Sequence, residues 1–201
     1  MKFNFIISIG LITILSACQI RNNKKEATRL ADQAMKTFMP HSISIDSANQ
    51  ALYLLDSAIK LYQSPRLYFC KYQIYKINNH QLAALYICDT VLMHDRFNFS
   101  FTLEKGCTFE ALGKLDSAFS YYRAALRMID NRNSFNAAEI EKDDGKIVIT
   151  GLLKDTVAFT KLTNEFRAKY GSSNDKNFQM YSEQLDHFRR EDYLGLPPDI
   201  H

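Results

Sequence analysis

The sequence predicts an all-α fold: a short solenoid of helical hairpins closed by a C-terminal capping helix. Three observations point there. Glycine (7) and proline (4) are scarce among 201 residues, too few for many short strands and enough for long helices. Apolar residues recur at spacings of three and four along most of the chain. Three stretches place a small residue seven positions before Ala or Val, at Ala51/Ala58, Ala84/Val91 and Ala118/Ala125, and their starts lie 33 and 34 residues apart. A period of that length marks an array of helix–turn–helix units, and a small side chain is what lets two helices cross closely. Apolar residues make up 46% and charged residues 23%, so a packed core is available. The formal net charge of +3 is spread thinly, and no basic block is dense enough to argue for nucleic acid.

The elements follow in chain order. Met1-Lys2 supplies a minimal positive start, and residues 3–15 are mostly apolar, of signal-peptide length and too short for a comfortable membrane span. Residues 15–18, LSAC, resemble the lipobox of bacterial lipoproteins. The resemblance implies that residues 1–17 are a signal peptide removed ahead of Cys18. It also implies that Cys18 is lipidated with palmitate-like chains, of which two or three give stable anchoring where one does not. Residues 18–25 read as the lipidated Cys and a polar, basic tether. Gln19 stands where proteobacterial lipoproteins retained at the inner membrane carry Asp, and no acidic surface-export signal follows. The expected location is therefore the outer membrane, lipid-anchored and facing the periplasm.

Residues 26–132 read as three helix pairs. The first is divergent, because residues 39–46 interrupt its turn ahead of the second helix at 51–62. Residues 67–75 and 84–92 form the second pair, and residues 101–112 and 118–126 the third. Asn78-Asn79-His80 and Gly113-Lys114 make the turns, since Asn and Gly tolerate the left-handed conformation that ends a helix. Asp116-Ser117 suits the start of the next helix. Residues 133–170 read as a divergent fourth pair with an insertion near Asp143-Asp144-Gly145. Ile147-Val148-Ile149-Thr150 admits a strand, but an isolated strand has no partner, so a helix is preferred. Residues 171–190 place Phe178, Tyr181, Leu185 and Phe188 on one face, as a capping helix does at the end of a repeat stack. Residues 191–201 read as a tail in which Leu196-Pro197-Pro198 ends regular structure.

Gly106, Phe109, Gly113, Ala118, Tyr122, Ala125 and Leu126 resemble the tetratricopeptide repeat (TPR) pattern. Residues 99–132 match it well. Residues 65–98 depart from it at Tyr72 and Val91, and residues 26–64 match only in their second helix. The resemblance implies a concave groove lined by the first helix of each pair, which takes an extended peptide or a partner helix. The groove-facing candidates it implies are Arg66, Phe69, Gln73 and Lys76 in one repeat, and Ser100, Leu103, Cys107 and Glu110 in the next. This set is not basic enough for the type of TPR that clamps a C-terminal carboxylate.

The chain carries no GxSxG elbow, no phosphate-binding GxxxxGK[ST] or GxGxxG loop, and no HExxH. No catalytic residue, metal or cofactor is expected. Glu139, Glu141, Asp143 and Asp144 lack the ligand ladder of a calcium loop and read as a solvated loop. Cys70, Cys88 and Cys107 show no metal spacing and read as small buried hydrophobes. A Cys70–Cys88 disulfide stays open, because the two would sit on one hairpin in an oxidising compartment. The recurring tyrosines read as packing. The expected protein is a non-enzymatic interaction or scaffold lipoprotein of the cell envelope. It would bind a protein or peptide, with neither nucleic acid nor a small-molecule substrate. Membership of an outer-membrane assembly or secretion complex, or a role as accessory subunit of a cell-wall enzyme, are the rival expectations.

Overall fold

A computed structural model describes residues 3–38, 44–131, 139–171 and 176–194, with side chains from residue 19 onward except those of 176, 177 and 192. Every regular element among the described residues is a helix. They are α1 (Phe3–Phe38), α2 (Ile45–Leu61), α3 (Pro65–Ile77), α4 (Gln81–His94), α5 (Phe99–Ala111), α6 (Leu115–Asp130), α7 (Glu139–Leu152), α8 (Thr156–Tyr170), α9 (Lys176–Asp186) and α10 (Arg190–Leu194). Successive helices from α1 to α3, and from α4 to α9, pack as neighbours, as an all-α fold of helical hairpins predicts. The chain divides into two compact units, Met1–Asn78 and Asn79–His201.

In the first unit the C-terminal part of α1 packs on α2, and α3 lies against both. The α1–α2 seam is alanine on both sides. Ala27, Ala31 and Ala34 meet Ala48, Ala51 and Ala58, with Leu55, Leu67 and Ile74 completing the core. Small side chains bring the two backbones close, so dispersion contacts accumulate over many atoms. Ser44 starts α2 as a capping box: its hydroxyl accepts from the Ser47 N–H at 3.0 Å, and the Ser47 hydroxyl accepts from the Ser44 N–H at 3.2 Å. Helix α1 also runs unbroken through residues 18–25, where the sequence reads as a tether. No Gly or Pro lies between residues 10 and 40 to stop it, and its alanine stripe is held by α2. The side chains of residues 1–18, Cys18 included, lie outside those described, as do residues 39–43 of the interrupting loop.

In the second unit α4 packs on α5, α5 pairs with α6, α6 leads to α7, and α7 pairs with α8. The α5–α6 crossing depends on Gly106, where an added Cβ would lie 2.6 Å from the Tyr122 ring. Helices α5 and α7 end alike. Lys114 N–H donates to the Phe109 carbonyl at 2.9 Å and Asp155 N–H to the Thr150 carbonyl at 3.1 Å, the six-to-one bond of a Schellman turn. The left-handed position is Gly113 (φ 73°) in the first and Lys154 (φ 61°) in the second, and Asn79 (φ 58°) plays that part ahead of α4. Asp155 then caps α8, accepting from the Ala158 N–H at 2.9 Å.

Two expectations change here. The expected insertion at Asp143-Asp144-Gly145 is interior helix, because α7 spans Glu139–Leu152. Gly145 is tolerated there since a Cβ would meet Ile129 Cδ1 at 3.0 Å, so the glycine admits α6 side chains. The expected C-terminal cap is also divided. Helix α9 packs on α7 and α8, whereas residues 190–194, assigned to the end of the cap and the tail, form α10 against α5. Residues 132–138, 172–175 and 195–201 lie outside the described residues.

One ion pair recurs between neighbouring helices. Lys71 Nζ reaches Asp56 at 2.5 Å (α3 to α2), Lys105 reaches Asp89 at 2.5 Å (α5 to α4), and Lys146 reaches Asp130 at 2.8 Å (α7 to α6). The lysine stem is the better buried partner each time, and the carboxylate stays at the surface. Two of the ammonium groups also sit over an aromatic ring one turn on, Lys71 at 5.8 Å from Tyr75 and Lys105 at 5.8 Å from Phe109.

Candidate interaction surfaces

In the first unit α3 presents the candidates Arg66, Phe69, Gln73 and Lys76. The spacing of three and four puts them on one side of the helix. Arg66 is 75% exposed along its side chain and lies 3.6 Å from Asp32, a solvated pair of small energetic weight. Phe69 and Gln73 are half-buried, and the Phe69 ring stacks on Tyr72 at 6.2 Å. Lys76 differs from the expectation. It is only 9% exposed, with its ammonium 5.7 Å from the Tyr72 ring centroid. Its stem covers a buried ring, so it is part of the packing more than of an open face.

In the second unit α5 carries Ser100, Leu103, Cys107 and Glu110. Ser100 is exposed. Leu103 is half-buried against the core cluster of Tyr122, Val148, Ile149 and Leu152. Cys107 is 2% exposed and Glu110 8%, so neither faces solvent. For Glu110 the reason is the C-terminal segment. Arg190 pairs with Glu110 through Nη1 and Oε1, and the other Glu110 oxygen accepts from the Tyr122 hydroxyl at 2.9 Å. Arg190 Nε and Nη2 both donate to the Leu152 carbonyl, at 3.2 and 3.0 Å. Leu194 is buried in the same cluster as Cys107. Burial drives the Tyr122 phenol far above its usual pKa, and the neighbouring Cys107 and Glu110 add to the rise, so it acts only as a donor to the carboxylate.

The acidic run on α7 is also internally engaged. Lys169 Nζ bridges Glu139 and Asp143, each at 2.8 Å, and the Tyr170 hydroxyl donates to Asp143 at 2.9 Å. These hydrogen bonds, to Asp143 first, raise the Lys169 pKa. A cavity of about 210 Å³ lies beside them, between Lys146, Glu165 and an apolar floor of Ile147, Leu162 and Phe166. Asp144, next to it in sequence, has a carboxyl that burial pushes up to about 6. Among the described residues no group of three or more His, Cys, Asp or Glu is placed to hold a metal. None of Cys70, Cys88 and Cys107 forms a disulfide, and burial raises the Cys88 thiol well above its usual pKa, which leaves it inert. Tyr72 and Tyr122 are core residues, whereas Tyr53 and Tyr86, at matching places in their repeats, stand exposed. No helix among the described residues is long and apolar enough to cross a membrane, and the signal-like stretch falls where no side chain is described.

No protein-family model, no curated protein and no solved structure matches the chain. The functional reading therefore rests on its own residues. Sequence reasoning missed the Glu110–Arg190 pair and the lysine–aspartate series. The series had a signal, since Asp56 and Asp89 are 33 residues apart and Lys71 and Lys105 are 34 apart.

Proposed function

We propose that the chain is a membrane-anchored, TPR-like lipoprotein of the cell envelope that binds a protein or peptide segment and performs no catalysis. The observation that carries the reading is the pairing of helices across Ala and Gly seams, joined by a repeated lysine–aspartate contact, behind an LSAC sequence ending at Cys18. Such an array spends its sequence on scaffold and leaves helix faces as its working surface. Anchoring through Cys18 holds that surface at the outer membrane facing the periplasm, where a high local concentration turns weak contacts into useful occupancy.

The test has two arms. Cys18→Ser is expected to abolish palmitate labelling and release the protein from the membrane fraction. An unchanged membrane fraction would remove the anchor from the proposal. In the second arm, crosslinked partners are recovered from the native membrane with the wild-type chain and with Arg66→Glu/Phe69→Ala. This pair is chosen because Lys76 is buried and its replacement would disturb packing. Loss of the recovered partners supports the α3 face, and equal recovery rejects it.

A further inference from the structure

We infer that residues 188–194 are an internal ligand seated on α5 and α7, and that this face takes a partner segment built alike: an aromatic residue, an arginine two positions on, then an aromatic–aliphatic pair three and four beyond it. The inference deepens the interaction reading above and rests on it.

The seat is specific at three points. At the first, α7 carries Gly151, where a Cβ would lie 2.6 Å from the Phe188 ring, so the missing side chain is the space that ring fills. The same ring packs on Phe159 at 5.0 Å and on Tyr193 at 5.3 Å. The second point is polar. Arg190 divides its donors between the Glu110 carboxylate and the Leu152 carbonyl at the C-terminal end of α7, where the helix dipole favours a cation. Third, Leu194 enters the core cluster that contains Cys107.

Glu110 decides what can replace the segment. A carboxylate this buried is costly to leave without a cation in whatever covers it. An all-apolar peptide could fill the Gly151 seat, yet it would strand that charge. Arginine fits better than lysine, since one planar group must serve a carboxylate and a carbonyl together.

The segment is built to leave. Helix α10 has five residues, too few to hold helical form without its seat. It is joined to α9 by a short turn in which Phe188 N–H donates to the Leu185 carbonyl at 3.3 Å. Held in the same chain it acts at an effective concentration on the order of millimolar, a threshold that a true partner must exceed.

The test uses the full chain and site-resolved thiol modification, with Cys107 as reporter and Cys88, on the neighbouring α4 and outside the cluster that Leu194 enters, as control. Arg190→Ala is expected to speed modification of Cys107 roughly tenfold or more while Cys88 stays protected. An excess of free peptide of residues 187–201 should restore the protection, and the same peptide carrying Arg190→Ala should not. In a Glu110→Gln chain that preference for the arginine peptide should vanish. Cys88 and Cys107 accelerating together would show that the segment is an inseparable part of the fold and overturn the inference. An unchanged Cys107, or a peptide that gives no protection, would overturn it equally. In the wild-type chain, α10 amides should exchange with solvent faster than those of α5; equal rates would also count against a displaceable segment. These measurements use neither partner nor anchor, so their failure leaves the interaction reading to the pull-down, and the converse holds.

Discussion

Gly106 and Tyr122 form a lock whose two halves fail differently. The Tyr122 ring cannot swing away from a new side chain at 106, because its hydroxyl is tied to Glu110 at 2.9 Å. An added methyl would meet ring carbons at 2.6 and 2.7 Å. Overpacking of this kind costs roughly 1–3 kcal/mol, against about 1 kcal/mol gained by replacing Gly with Ala inside a helix. Gly106→Ala should therefore lower the urea midpoint, and a raised midpoint would show that α5 and α6 separate easily. Tyr122→Phe keeps the ring and removes the donor. It should cost about 1–3 kcal/mol, the penalty of leaving a buried carboxylate oxygen short of a partner. Asp144 supplies a pH signature. Its carboxyl lies at about 6 in the folded chain because of burial, above the ordinary 3.8, and one of its oxygens is buried with no hydrogen-bond partner. The folded state thus binds the proton more tightly than the unfolded state. Stability falls as pH rises from about 4 to about 6 and levels off above. Asp144→Asn should be the more stable protein at about pH 7 by roughly 1–2 kcal/mol, a figure reduced for the group's partial exposure, and equal to wild type below about pH 4. Parallel profiles of the two proteins across that range would refute this.

Each lysine–aspartate contact joins one helix to the next, so its value is measured between elements. Lys105 has the richest surroundings: Asp89 at 2.5 Å and the Tyr121 ring 4.6 Å from its ammonium. Burial pulls its pKa down, and the hydrogen bonds to Asp89 and Tyr121 more than offset that, for a net rise. Because Asp89 remains half in water, the ion pair itself contributes little. Most of the value lies in the stem packed against aromatic surface. Lys105→Ala should cost about 1–2 kcal/mol and Lys105→Met less than about 1 kcal/mol in chemical unfolding; equal losses would assign the contact to charge. What was legible in the sequence follows the same distinction between near and far. The seams at Ala51/Ala58 and Ala118/Ala125 and the turn at Gly113 are local demands of helix crossing and left-handed backbone, and local demands leave periodic marks. Glu110 and Arg190 are 80 residues apart. Nothing in the period of the array says that the chain returns across α5, so a groove residue in sequence became a buried one in space. Gly145 misled for a related reason: next to two aspartates it reads as a loop, yet the contact that requires it comes from Ile129 on another helix.

At the scale of the whole chain, each unit has buried clusters of its own among the described residues. Ala27, Ala51, Leu55 and Ile74 form a cluster confined to the first unit, and the clusters around Tyr122 and Ile149 and around Phe166 lie in the second. In repeat arrays each element draws its stability from its neighbours, so damage is expected to stay local. Leu55 and Ile149 are both fully buried, and truncating either removes several methyl and methylene groups from a packed site, at roughly 2–5 kcal/mol. Hydrogen exchange read by segment should separate the two. Leu55→Ala should speed exchange in α1, α2 and α3 first, and Ile149→Ala in α5, α6 and α7 first. Exposure of the C-terminal seat should follow only the second change, with Cys107 becoming reactive in Ile149→Ala and staying protected in Leu55→Ala. Uniform acceleration across all helices from either substitution would mean that the chain unfolds as one cooperative body, and the surfaces on α3 and α5 could not then be tuned one at a time.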